Sequence, residues 1–215
     1  MKKIAVFFIP LAIGVVSASQ AFGQDTNAAL TLAPPSHEIW ENGVGEGFKS
    51  SDQSLSLETG ASYGVSIFGG SEKHDLALMD LAYSHMLGGV KGKDSWYRGN
   101  WEGRAELFGG SQFSPKPDWV AGLSLHLRYD FALGGPVVPF FDAGMGVTGT
   151  GISAPDLNGT FEFNLECGPG AYWFVNKRLA VTGEVRLMHM SCAGLSSPNL
   201  GVNTVLGLLG VSWFF

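Results

Sequence analysis

Cysteine is scarce, with two in 215 residues, which excludes a disulfide-stapled scaffold. Charge is scarce as well. Only 15% of residues are charged, with 13 lysines and arginines against 19 aspartates and glutamates. A formal charge of -6 lacks the basic footprint that nucleic acid requires, so no nucleic-acid partner is expected. Beyond the N-terminus no run of about 18 apolar residues occurs, so no transmembrane helix is expected. No internal repeat of roughly 20–50 residues appears either. Glycine is abundant at 31 residues, and aromatics make up 12%. Plentiful aromatics and sparse charge exclude disorder. Many glycines with little charge fit short strands and tight turns better than a helical bundle. The length suits one domain.

The N-terminus reads as an export signal. Lys2 and Lys3 precede the apolar run Ile4 to Val16, and Ala21-Phe22-Gly23 forms a small-x-small cleavage site before Gln24. Residues 1–23 are therefore expected to be a signal peptide, because the run is short for a membrane anchor. Losing both lysines takes the formal charge from -6 to -8. Residues 24–53 are polar and irregular, with Pro34-Pro35, and read as an N-terminal extension that is a tail or short edge strand without chemistry. Residues 54–215 carry the fold.

From residue 54 the chain alternates with period two. Between Trp119 and Phe131 the odd positions include Leu123, Leu125 and Leu127, and the even positions Ser124, His126, Arg128 and Asp130. Successive strand residues point to opposite faces, so one face is apolar and the other charged. The same alternation recurs in 101–108, 138–148, 160–174 and 179–191. Segments 55–68 and 76–86 follow it more loosely, and a last segment runs from about Asn203 to Phe215. Short turns such as 175–177 alternate with longer loops expected at 109–118 and 149–159. The spacing gives about eight strands of roughly 10–14 residues. The expected fold class is all-β, a small antiparallel transmembrane β-barrel.

A soluble lipocalin-like barrel alternates too, with its apolar face inside. Three features favour the inverted arrangement. The polar face mixes Glu, Asp, Arg and His with Gly and Ser and carries almost no Lys, which suits a packed lumen. Trp101, Trp119, Phe131, Phe161, Trp173 and Trp213 sit at strand ends, as interfacial girdles do. The chain ends on Ser212-Trp213-Phe214-Phe215, and a closing strand with a terminal Phe resembles the signal read by the outer-membrane barrel assembly machinery. That machinery is thus an expected partner in biogenesis. A lumen bounded by about eight strands is filled by side chains and leaves no channel. Arg104, Arg128, Arg186 and His126 are expected to pair with its carboxylates, because unpaired buried charge is costly. No His/Cys/Asp cluster shows ligand spacing, so no metal or organic cofactor is expected.

One strand breaks the pattern. The outward face of 179–191 runs Leu179, Val181, Gly183, Val185, Leu187, then His189 and Ser191. Polar groups facing lipid are expensive and need a reason. A strand end leaving the hydrocarbon for the headgroups would supply one. Asn203 shares the parity of Val205 to Phe215, so it too is expected to face lipid. A loop of about ten residues joins the two strands and brings Asn203 near His189 across an antiparallel pair. Ser191 as nucleophile, His189 as base and Asn203 as the group orienting the imidazole form an acyl-transfer arrangement. Cys192 has the opposite parity from His189, which disfavours a thiol nucleophile. Cys167 lies mid-strand, too far from Cys192 for a disulfide.

The stretch His189-Met190-Ser191-Cys192-Ala193-Gly194-Leu195, followed by Pro198-Asn199-Leu200-Gly201-Val202-Asn203, resembles the signature of the PagL-type lipid A 3-O-deacylases. The family pattern is His-x-Ser-Asn-Ala-Gly, a short loop, Pro-Asn-x-Gly, then an acidic residue two positions later. A weaker likeness extends from Trp101 to Phe215. The resemblance implies an eight-stranded barrel of the bacterial outer membrane that cleaves the ester at the 3-position of lipid A in lipopolysaccharide. It implies His189 as base, Ser191 as nucleophile, and the amides of Ala193 and Gly194 with the Asn199 side chain as holders of the oxyanion. Two positions depart from it. The best-known members have Glu where this chain has Asn203, which can orient His189 but adds no charge. Cys192 stands where the family has Asn. Reduced or differently tuned activity is expected. The competing readings are a non-catalytic small barrel with a degenerate deacylase site, and a soluble ligand-binding barrel.

Overall fold

The computed structural model describes residues 38–215. The expected signal peptide and the first part of the expected extension lie outside the described residues. Eight strands follow in order: β1 (Gln53–Gly64), β2 (Asp75–Met86), β3 (Gly99–Ser114), β4 (Asp118–Phe131), β5 (Val137–Thr150), β6 (Phe161–Phe174), β7 (Leu179–Ser191) and β8 (Val202–Phe214). Each pairs antiparallel with its neighbour, and β1 pairs with β8 to close a barrel. The fold class is the one the alternation implies. No helix among the described residues is long and apolar enough to cross a membrane, which says nothing of strands.

The barrel is apolar outside and polar inside. On β4, Leu123, Leu125 and Leu127 are 46–63% exposed, while Ser124, His126 and Arg128 are at most 5% exposed. A soluble barrel has the reverse arrangement. Trp101, Trp119, Phe161, Trp173 and Trp213 all face outward. Trp101 packs edge-on against Tyr129, which packs in turn against Phe131.

The lumen is layered along its axis. A charged network fills the middle. Arg128 donates to Asp142, Tyr172 and Glu184 and stacks over the Phe140 ring at 3.7 Å. Arg104 donates to Glu58 and Glu106, and Arg186 to Glu106, Glu166 and Glu184. One end is closed by Leu76, Phe108, Ile152, Leu157, Met188 and Met190 with their neighbours. The other end is closed by a second apolar cluster that includes Ile39, Trp40 and Phe48.

Two features differ from the sequence reading. A long loop expected at 109–118 is mostly strand: β3 continues to Ser114 and pairs with β2 and β4, leaving 115–117 as a tight connection. Gly109, Gly110 and Ser111 blur the alternation there without ending the ladder. The second feature is the stretch before β1, which is no free tail. Phe48 stacks on Phe214 at 5.1 Å and on Trp40 at 4.7 Å. Asn100 receives the Phe48 amide and donates back to its carbonyl, and Trp40 Nε1 donates to the Lys177 carbonyl. Three large apolar side chains in a polar segment suffice to plug the barrel end, because Trp40 and Phe48 find aromatic partners on the strands and Ile39 is buried in the same cluster.

Candidate active site

β7 and β8 set the site by register. His189 lies directly opposite Asn203, and on its other side opposite Leu165 of β6. Ser191 is two residues along from His189, so it shares the same face. His189 Nδ1 lies 2.7 Å from Asn203 Oδ1, and Ser191 Oγ lies 3.1 Å from His189 Nε2. An amide oxygen only accepts, so Nδ1 carries the ring proton and Nε2 keeps its lone pair toward the serine hydroxyl. That is the tautomer a general base needs.

Asn203 is on the outward face by parity, but it is not open to lipid. It is only 3% exposed, and its Nδ2 is buried without a hydrogen-bond partner. The β1–β2 loop accounts for the cover. The Val65 amide donates to the Asn203 carbonyl, and Phe68 sits edge-on to the His189 ring at 6.2 Å. The loop is latched in place by Asp156 of the β5–β6 loop. Asp156 receives the amides of Ser71 and Glu72 and pairs with His74 Nε2 at 2.8 Å. His74 Nδ1 in turn meets Gln112 Oε1 at 2.5 Å. Burial pushes the Asp156 carboxyl up, but these hydrogen bonds outweigh it and hold the group below the ordinary carboxylate range.

The turn after Ser191 is tight. Ala193 and Gly194 both take positive φ, at 53° and 84°. Glycine adopts such a conformation freely and alanine does so at a cost, so the loop holds Ala193 there. The expected oxyanion donors divide. Among the described residues the Ala193 amide has no hydrogen-bond partner. The amides of Gly194, Leu195 and Ser196 converge instead on Cys192 Sγ, and bonds from Ser196 foremost hold that thiol below the usual cysteine range. Asn199 accepts the Cys192 amide and donates to the Glu162 carboxylate at 3.0–3.1 Å, so it braces the backbone next to the serine. Gly201 is required beside the imidazole: at φ 85°, a Cβ there would stand 2.9 Å from His189 Cε1. Cys167 and Cys192 are both free, the first exposed and the second buried.

Beside His189 a mostly apolar groove of about 520 Å³ opens on the outer face, lined by Phe68, Leu165, Glu166, Cys167, Leu187 and His189. Sequence reasoning finds the strand residues of this site but not Phe68, His74, Asp156 or Glu162. Those four act across the barrel mouth, from two loops and the start of β6, and no periodicity links them.

Comparison with known proteins gives a family and a fold. The profile of a family described as lipid A 3-O-deacylase (PagL) matches residues 77–212. Among solved structures, the outer membrane enzyme PagL is 20% identical, with a TM-score of 0.51, covering 73% of this chain and 97% of its own. Neisserial surface protein A is 12% identical, with a TM-score of 0.55, covering 76% of this chain and 97% of its own. At these identities the two structures share the fold. No curated protein sequence matches the chain.

Proposed function

The chain belongs to the lipid A 3-O-deacylase (PagL) family, and we propose that it is a serine esterase of the bacterial outer membrane that removes the 3-O-linked acyl chain of lipid A. The observation that carries this reading is the chain of two hydrogen bonds from Asn203 through His189 to Ser191. Ser191 Oγ attacks the ester carbonyl while His189 Nε2 takes its proton. The oxyanion so formed is held by the Ala193 amide, which is left without a partner in the turn after Ser191. Preorganised donors of this kind lower a barrier by roughly 3 kcal/mol each. The protonated imidazole then returns its proton to the departing 3-hydroxyl of the sugar. Water, activated by the same His189, releases the fatty acid and restores Ser191. The groove lined by Phe68, Leu165 and Leu187 receives the acyl chain.

The outer-membrane placement rests on the inverted barrel, its aromatic strand ends and its fold. The site lies at the end opposite the one where β1 begins and β8 finishes. Purified barrel in detergent micelles with lipopolysaccharide tests the activity. Release of a 3-hydroxy fatty acid by the native chain, lowered at least ~10³-fold in Ser191→Ala, is the expected result. Equal release by both chains contradicts the assignment. A folded barrel that releases nothing, together with an active Asn203→Glu variant, identifies a degenerate site.

A further inference from the structure

The lumen holds more carboxyl groups than arginines. The strands bury nine carboxylates on the lumenal face and three arginines. Each arginine is shared: Arg186 alone serves Glu106, Glu166 and Glu184. Asp80 is 1% exposed with neither carboxylate oxygen partnered, and its charged neighbours are Glu106, Arg186, Glu58 and Glu166. Buried charges are ordinarily paired or bound to metal.

One cluster in this layer has the form of a ligand set. Glu106 of β3, His126 of β4 and Glu166 of β6 are all buried, and one potential ligand atom from each lies within 4.8 Å of the other two. The histidine is already oriented for the purpose. Its Nδ1 meets Asp142 Oδ1 at 2.5 Å, and Asp142 also accepts from Arg128 Nε at 2.9 Å. A carboxylate held by arginine is ionised and only accepts, so Nδ1 carries the proton. Nε2 is left with a lone pair, is buried without a hydrogen-bond partner, and stands 3.8 Å from Glu106 Oε1. Arg186 Nη1 already reaches Glu106 Oε1 at 2.7 Å and Glu166 Oε2 at 3.1 Å, so an ion bound at Nε2 shares these two carboxylates with the guanidinium. Carboxylate-supported imidazole is the usual outer arrangement of a histidine metal ligand. The ring also has a prepared seat: a Cβ on Gly144 would lie 2.3 Å from His126 Nδ1.

We propose that the barrel lumen binds a structural divalent transition-metal ion, zinc being the best match, through His126 Nε2 and the carboxylates of Glu106 and Glu166. One imidazole with two carboxylates suits zinc and its first-row neighbours better than calcium or magnesium, which take oxygen-only sets. Zinc bonds of about 2.0–2.2 Å place the ligand atoms roughly 3.5 Å apart, so side-chain rotations of about an ångström close the site. Arg186 keeps Glu184 and the carboxylate oxygens that the ion leaves. The site is on the lumenal face of the sheet, opposite the face of His189 and Ser191, and does not depend on the esterase assignment. Its ligands come from three strands, which is why no spacing in the sequence announces it.

The test uses the full, untagged chain folded in detergent, stripped with chelator, dialysed against zinc sulfate, desalted and assayed for metal by mass spectrometry. About one zinc per chain is expected, with at least ~tenfold less in His126→Gln and Glu166→Gln at the same free zinc. Retained gel-shift mobility in cold detergent shows that the variants are folded. If they do not fold, X-ray absorption on the zinc-loaded native barrel decides: an imidazole with oxygen ligands supports the site, and a shell without imidazole overturns it. A native barrel that retains no zinc, balancing its lumen with protons alone, also overturns it. So does a His126→Gln barrel that retains as much zinc as the native one.

Discussion

Asn203 accepts the Nδ1 proton of His189 but brings no charge to meet the imidazolium that the proposed reaction forms, and its own Nδ2 is buried unpaired. A hydrogen bond to a charged group contributes about 1.5–3 kcal/mol against about 1 for a neutral pair. Asn203→Glu is therefore expected to raise kcat by about tenfold. Asn203→Leu, which frees the ring to take the wrong tautomer, is expected to lower it by roughly 10²–10⁴. Steady-state kinetics on lipopolysaccharide micelles measures both, and an unchanged kcat in Asn203→Leu removes Asn203 from the site. The positions of His189, Ser191 and Asn203 are legible in the sequence because parity and one loop length fix them. The proposed oxyanion donor is not, since any residue type has an amide, and only the fold shows that Gly194 and Asn199 are engaged while Ala193 is not.

The β1–β2 loop covers Asn203 because Asp156 holds it. The folded pKa of Asp156 is lowered, so its ionised form stabilises the latch above the ordinary carboxylate range. That contribution is lost as pH falls through the lowered value. The Ser71 and Glu72 amide resonances are expected to move as pH falls below about 4. In Asp156→Asn they show no such acid titration. An acid titration that persists unchanged in Asp156→Asn contradicts the latch. At the other end, Trp40 is 1% exposed between Phe48 and Phe174. Trp40→Ala is expected to cost about 3–5 kcal/mol in urea unfolding, and a loss below about 0.5 shows that the plug does not hold the barrel end. These elements explain where the sequence misleads. Glycines inside β3 mimic a loop at 109–114, and the plug is too short and too aperiodic to register as structure.

The whole molecule is an inverted barrel, and that too has a direct consequence. Leu125 lies mid-strand and is 63% exposed on the outer face. In a bilayer, Leu125→Arg is expected to cost about 2–4 kcal/mol of folding stability, whereas on a water-facing surface the change is nearly neutral. Denaturant titration in phospholipid vesicles reads the difference. At this scale the sequence is most transparent, because period-two alternation over eight segments needs no tertiary information. The layering of the lumen is less so: alternation assigns Phe140, Tyr172, Met188 and Met190 to the inside without saying that they cap a charged middle. All three scales meet in the proposed function, a lipid-facing barrel that places one serine against lipid A. Mass spectrometry of lipid A from a Gram-negative host expressing the native chain, beside Ser191→Ala, tests it most directly. Loss of one 3-hydroxyacyl mass in the native strain alone is the predicted result. Lipid A unchanged by a correctly assembled native barrel, or trimmed equally by Ser191→Ala, contradicts it.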